Sequence, residues 1–238
     1  MDMWSSVKTE GIVLTVAPWR EADRRYRVLT PGYGKVECIG RGALKPKAKL
    51  SSHLEPCAIL ELEIIRGGRG ATVIGVERLH AFRHTARSID HRLLALTSMA
   101  LLDKTTQLEE EDVALYDELT CWLHFLEGQE ALHATRSTLL LGSFLLRLMR
   151  HLGYDTTLLR EAPRTEGAVA LLALARDAEY ADLFGMPLSG RDVEGFAAYV
   201  HGLLAYHVPG YADRPFWVGI MPTRPLRENS LAVTALAE

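Results

Sequence analysis

The sequence lacks the features by which many enzymes and membrane proteins are recognised. Its three cysteines, Cys38, Cys57 and Cys121, lie far apart without a Cys-x-x-Cys pair, which predicts reduced, buried thiols and no zinc site. It has no Gly-x-Ser-x-Gly, Walker or Gly-x-Gly-x-x-Gly motif at a strand end. The uncharged run from Ser137 to Leu146 is too short to cross a bilayer. We therefore predict no catalytic residue, metal, cofactor or membrane segment.

A signal for export is also missing from the start of the chain. The first ten residues have neither the cationic start nor the apolar run of a signal peptide. An apolar content of 48% and a charged content of 24% are ordinary for a globular protein. These features predict a cytoplasmic protein.

Charge is unevenly distributed along the chain. The net charge is −3, but residues 1–80 hold 13 Lys and Arg against 9 Asp and Glu, whereas residues 81–238 hold 14 against 21. Within residues 20–50 there are nine bases and three acids. This distribution predicts a basic face on the N-terminal part alone, as nucleic-acid-binding domains have.

Two types of structure are predicted in succession. Short apolar or alternating segments separated by Gly and Pro turns predict five strands, at Val7–Val16, Tyr26–Leu29, Lys35–Ile39, Cys57–Ile65 and Ala71–Leu79. Five strands with one long connection at residues 41–56 are typical of a small Greek-key barrel of the OB type. The fold class is therefore α+β, with an OB-fold barrel over residues 1–82 and an all-helical domain over residues 83–238.

Helical periodicity covers most of the second part. Leu132 to Leu152 is apolar almost all round, which predicts a central buried helix. The stripe from Val193 to His207, behind a cap at Ser189 to Asp192, predicts a further helix. Residues 155–188 are ambiguous, with a possible helix at Glu166 to Glu179. Prolines after Val208 exclude a long helix there.

The basic residues of the barrel lie mainly in or beside two connections. Loops present flexible cations to phosphates, and aromatic rings between them can stack on bases. The candidate nucleic-acid-binding residues are Trp19, Arg20, Arg24, Arg25, Tyr33, Lys35, Arg41, Lys45, Lys47 and Lys49. The alternative is that the loops are merely solvated and the aromatic rings belong to the core.

A succession of short motifs resembles the N-terminal domain of the RecO family. The motifs include Glu10–Leu14, Pro18–Asp23, Gly34–Val36, Arg41–Ala43 and Leu54–Pro56. Further along, Phe144–Tyr154 resembles the family's central helix, and Arg191–His207 resembles its last helix. This resemblance implies an OB barrel with a helical domain, binding of single- and double-stranded DNA, and annealing of complementary strands. It also implies partnership with RecR and with the C-terminal tail of the single-strand binding protein SSB, and loading of the recombinase RecA onto SSB-coated gaps, in the cytoplasm at the nucleoid.

Two departures from the family pattern affect these implications. Residues 155–190 contain no cysteine, so the zinc module of many family members is absent. Arginines that precede the central helix's Phe in some relatives are replaced by Gly142 and Ser143. Arg136, Arg147 or Arg150 would then have to bind the partner. The competing interpretations are an OB-fold RNA-binding protein and a scaffold protein without annealing activity.

Overall fold

The structure is a computed structural model that describes residues 5–45, 53–67, 70–154, 156, 163, 165–208 and 211. It contains five strands followed by seven helices in this part of the chain. The strands are β1 Ser5–Trp19, β2 Asp23–Thr30, β3 Gly34–Gly40, β4 Ala58–Gly67 and β5 Gly70–Ala81. The helices are α1 Arg83–Arg87, α2 Ile89–Thr105, α3 Val113–Glu127, α4 Ala134–His151, α5 Glu166–Asp177, α6 Tyr180–Gly185 and α7 Gly190–His207.

The strands form a closed barrel in the order β1-β2-β3-β5-β4. All neighbouring strands are antiparallel except β3 and β5, which pair in parallel through Cys38 with Ala71 and Ile39 with Thr72. Such closure removes exposed strand edges. The predicted α+β class, with an OB-like barrel followed by helices, is confirmed.

Alternation along the strands fills the barrel. Tyr26 and Val28 on β2 and Leu60 and Leu62 on β4 are fully buried, because every second side chain of a strand points inward. Glu61, between two of these residues, is only half-buried. The wet face predicted for this strand is therefore present.

Helix α4 lies at the centre of the helical part. Its side chains from Ser137 to Met149 are all buried, which confirms the predicted central helix. The ambiguous segment contains α5, which begins where the Thr165 hydroxyl accepts a hydrogen bond from the Ala168 amide. The prediction of buried thiols holds for Cys38 and Cys57 but is wrong for Cys121, which is exposed on α3.

Barrel and helices share one apolar cluster. Ile12, Leu14 and Leu29 from the barrel pack with buried side chains of α2, α3 and α4. Strand β5 ends at Ala81 and α1 begins at Arg83, so the change of structure falls where the domain division was placed. The division into two domains at this boundary stays a proposal, because the shared apolar cluster contains residues from both sides of it. Among the described helices, none combines the length and apolar character that a bilayer-spanning segment requires.

Candidate nucleic-acid interface

Two basic turns are joined at one end of the barrel. The β1–β2 turn is linked to the turn after β3, since the Leu44 amide donates to the Ala22 carbonyl at 2.9 Å. The Gly42 amide donates to Asp23 Oδ1 at 2.7 Å. We call this end of the barrel the loop end. The hydrogen bonds hold cations from separate parts of the sequence on a single surface.

Four cations of these turns have no acidic partner in the described part of the chain. Arg20, Arg41 and Lys45 are exposed and Arg24 is half-buried, and no ion pair within 4 Å is found for any of them there. Arg20 has a φ of 55°, a left-handed conformation that is uncommon outside glycine and is frequent at functional turns. Lys47 and Lys49 lie outside the described residues.

An aromatic ring extends this surface. The Arg25 guanidinium carbon lies 5.2 Å from the centroid of the Trp19 ring, within the range of a cation–π interaction. Trp19 is 39% exposed, so its indole is accessible to a base. Glu37 Oε2 lies 3.9 Å from Arg25 Nε, which makes this cation only weakly paired. We use "loop surface" for the set Trp19, Arg20, Arg24, Arg25, Arg41 and Lys45.

The Tyr26 phenol is buried beside the Arg24 guanidinium, and burial and this cation have opposite effects on the phenol's pKa. Burial raises the pKa of the Tyr26 phenol above 10.0, while the neighbouring Arg24 guanidinium opposes the rise. A cation beside a buried phenol favours the ionised form. The phenol nevertheless stays neutral at physiological pH and offers Arg24 no counter-charge.

Lys35 and Tyr33 lie at the opposite end of the barrel. Trp19 and Arg20 precede the eight residues of β2 and Tyr33 follows them, a separation of about 26 Å at roughly 3.3 Å per residue. Tyr33 lies beneath the Arg66 guanidinium at 5.2 Å from its ring centroid. The prediction that Tyr33 and Lys35 join the basic loops is therefore corrected.

Lys35 is an internal cation. It is 4% exposed, and its Nζ lies 3.3 Å from Asp103 Oδ1. It also donates to the Thr106 carbonyl at 2.7 Å and to the Asp103 carbonyl. Burial lowers the Lys35 pKa from 10.5, and the Asp103 charge partly offsets that effect. Lys35 thus fastens the barrel to the end of α2 and is unavailable to phosphate.

Two of the three predicted partner-binding arginines are also engaged by the chain itself. Arg147 is buried, donates to the carbonyls of Ala175 and Ala178, and lies 3.6 Å from Glu118. Arg136 donates to two carbonyls at the end of α6, at 3.2 and 2.8 Å. Arg150 is exposed and paired with Asp177 at 2.5 Å. Arg150 alone of the three retains a largely exposed side chain, so the proposed use of Arg136 and Arg147 is not supported by their placement.

The sequence patterns did not identify the acidic residues that neutralise some of the basic side chains of the barrel and leave others unpaired. Asp103 on α2 accepts from Arg27 at 3.1 Å and from Thr15 at 3.3 Å. Glu37 accepts from Arg27 at 3.1 Å. The ion pair between Arg27 and Glu37 could have been predicted from the strand register, since the two residues are directly opposite each other on β2 and β3. No local sequence pattern predicts the contact of Arg27 with Asp103.

The barrel sequence matches a known family. Residues 1–82 match the family described as "Recombination protein O N terminal". The barrel sequence is thus similar to the N-terminal domain of the RecO family. The resemblance to the RecO family stated from the motifs is thereby confirmed.

Curated relatives extend the likeness beyond the barrel. The chain is 29% identical over 154 residues to the DNA repair protein RecO of Thermobifida fusca (strain YX), covering 65% of this chain and 63% of the relative. It is 31% identical over 153 residues to that of Frankia casuarinae, covering 63% and 61%. It is 26% identical over 151 residues to that of Dehalococcoides mccartyi (strain CBDB1), covering 63% and 58%. The match thus spans less than two thirds of each relative.

Proposed function

We propose that this chain is a recombinational DNA repair mediator that binds single- and double-stranded DNA and anneals complementary strands. In this proposal it helps RecA to load on SSB-coated gaps together with RecR. The relatives are named DNA repair proteins, and the loop surface supplies the charge that DNA binding needs. Its place of action is the cytoplasm, at the nucleoid.

The observation that carries the proposal is the junction of the two turns. Hydrogen bonds from Leu44 and Gly42 to the β1–β2 turn fix Arg41 and Lys45 beside Arg20 and Arg24. Four cations without carboxylate partners in the described residues suit a polyanion better than a single anion. Phosphate neutralisation releases condensed counterions, which drives binding.

Annealing follows from the same charge without a chemical step. Two complementary strands repel each other through their phosphates, and a basic surface lowers that repulsion. Base pairing then provides sequence specificity, so the protein needs no contacts to base edges. We therefore propose a role that requires neither ATP nor a catalytic residue.

Binding of the acidic SSB tail requires a cation that the chain leaves exposed. Arg150 is the remaining candidate of the three arginines for the SSB tail, because its exposed pairing with Asp177 is weak enough to exchange for an acidic peptide. Binding of an SSB variant that lacks its last residues tests this assignment. Equal binding of truncated and full-length SSB contradicts it.

A salt titration tests DNA binding at the loop surface. The variant Arg20→Gln/Arg41→Gln/Lys45→Gln is compared with wild type for affinity to a labelled single strand at several salt concentrations. Each lost phosphate contact reduces the slope of log K against log salt by about 0.7, so three contacts reduce it by about 2. The charge-matched control is Lys8→Gln/Arg66→Gln/Arg191→Gln, in which Lys8 and Arg66 lie toward the end of β1 and β4 that is opposite the loop surface and Arg191 lies at the start of α7.

The outcomes separate the proposal from its competitors. Unchanged affinity and slope in the loop variant place DNA binding elsewhere. Preference for an RNA competitor over DNA of the same sequence favours an OB-fold RNA-binding protein. Absence of binding by wild type, with SSB capture retained, favours a scaffold. Faster annealing of SSB-coated complementary strands by wild type, without ATP, supports the mediator role.

A further inference from the structure

A second basic surface lies on the first two helices. Residues 83–92 contain Arg83, Arg87 and Arg92 with a single acid, Asp90. The three arginines are exposed, and no ion pair within 4 Å is found for them in the described residues. Arg83 and Arg87 are one helical turn apart, so they project from the same side of α1. We call these three residues the helix surface.

The helix surface is at the loop end of the barrel. Strand β5 runs parallel to β3, so the end of β5 at Ala81 points in the same direction as the end of β3, which leads into the Arg41–Lys45 turn. The Phe82 amide donates to the Cys57 carbonyl at 3.1 Å, which ties the start of α1 to the start of β4. Both basic surfaces therefore flank one end of one barrel.

Contacts with α2 and α3 hold the short helix α1 in place. Glu127 of α3 accepts from the amides of His84 and Thr85 at 3.0 and 2.9 Å, so its carboxylate is committed to the backbone of α1. The rings of His84 and His91 lie 4.6 Å apart. His91 in turn is hydrogen-bonded to the Gln129 carbonyl at 3.0 Å. These contacts fix the backbone from which the three arginines project.

We propose that Arg83, Arg87 and Arg92 form a second phosphate-binding surface, which holds the second DNA strand while the loop surface holds the first. This inference rests on the proposed annealing function. Annealing requires two polyanions on one protein, and a single surface with four unpaired cations neutralises only one of them. Arginine is suited to this use because its planar guanidinium binds phosphate oxygens in pairs.

A protein partner is the alternative occupant of this face. Ile89 is 83% exposed and Leu93 is 42% exposed beside the arginines, and a protein would bury both side chains. The phosphate backbone needs the arginines and not these aliphatic groups. The variant Ile89→Ser/Leu93→Ser therefore separates the two occupants, and on our proposal it anneals DNA as wild type does.

The decisive variant is Arg83→Gln/Arg87→Gln/Arg92→Gln, measured in three assays. Affinity for one short labelled strand stays within about twofold of wild type, whereas the annealing rate of complementary strands falls by about tenfold. In a third readout, energy transfer between two non-complementary strands bound to one protein is lost. The control is Lys8→Gln/Arg66→Gln/Arg191→Gln, and urea unfolding verifies that every variant is folded.

Failure of this inference is distinguishable from failure of the proposed function. If wild type binds no DNA, the function itself is wrong. If wild type anneals and the helix-surface variant anneals equally fast, the second surface is refuted. If that variant loses single-strand affinity as the loop variant does, both surfaces form one track for one strand, and the two-strand arrangement is also refuted. Loss of annealing in Ile89→Ser/Leu93→Ser overturns it in favour of a protein contact.

Discussion

Replacing Asp103 tests whether buried charges fasten the helices to the barrel. The Asp103 carboxylate forms ion pairs with Lys35 at 3.3 Å and Arg27 at 3.1 Å, and it accepts a hydrogen bond from the Thr15 hydroxyl at 3.3 Å. The Lys35 side chain is 5% exposed and that of Asp103 10% exposed. Asp103→Ala therefore leaves the ammonium of Lys35 buried without its ion-pair partner.

The magnitude follows from what remains around Lys35. Breaking a buried ion pair by removing one partner costs about 3–5 kcal/mol, because the remaining charge stays desolvated. Lys35 still donates to the carbonyls of residues 103 and 106, which are backbone groups and survive the substitution. Arg27 is 35% exposed and is rehydrated easily. We expect Asp103→Ala to lower the free energy of unfolding by about 3 kcal/mol, the lower end of that range.

Urea unfolding followed by circular dichroism measures this difference, and the chain offers a matched control. Asp177 pairs with Arg150 at 2.5 Å, but both side chains are more than half exposed. Asp177→Ala should cost less than about 1 kcal/mol, since water replaces an exposed partner. Equal, small losses in the two variants would refute the argument that burial of the Lys35 pair fastens α2 to the barrel.

Three further predictions concern pH, backbone conformation and charge competition. Burial, and secondly a neighbouring histidine, lower the pKa of His91 from 6.5, so the unfolded chain binds more protons just below pH 6.5 and stability falls there. The urea midpoint should drop between about pH 7.5 and 5.5, and less so in His91→Gln. Gly34→Ala should cost about 2 kcal/mol or more because φ is +59° and a new Cβ would collide with a backbone carbonyl; Gly153→Ala, at φ +78° in open space, should cost about 1 kcal/mol in the same urea assay. Glu37→Gln removes a carboxylate 3.9 Å from Arg25 and should tighten single-strand binding at low salt about twofold in a fluorescence titration; weaker binding would contradict this competition.

Periodicity in the sequence was sufficient to predict the main elements of the fold. Alternation at Glu61 and its neighbours predicts β4, and the all-round apolar run around Phe144 predicts the buried helix α4. Such patterns are local, and each strand or helix displays its own period. Strand ends were less predictable, since β2 begins at Asp23 rather than at Tyr26. Arg24 and Arg25 extend that strand because their backbones pair with both β1 and β3.

The candidate site was predictable in part, because grouping residues by sequence proximity ignores the length of a strand. Arg20 and Arg41 are distant in sequence but lie in turns at the same end of the barrel, since β2 and β3 return the chain to that end. Lys35 is closer in sequence to Arg41 but lies at the other end of β3. Its partner Asp103 is 68 residues away, and only the docking of α2 brings them together.

The bases along β2 show how the helical part decides which charges remain available for DNA. Arg27, Arg25 and Arg24 follow one another toward the loop end of the barrel. Arg27 lies beside Asp103 and Glu37 and is paired with both; Arg25 reaches only Glu37, at 3.9 Å; Arg24 has no acidic partner in the described residues. Because α2 places its carboxylate near the far end of the barrel, cations become less neutralised toward the loops. The acidic helical half therefore leaves the loop end positive, even though the whole chain carries a net charge of −3.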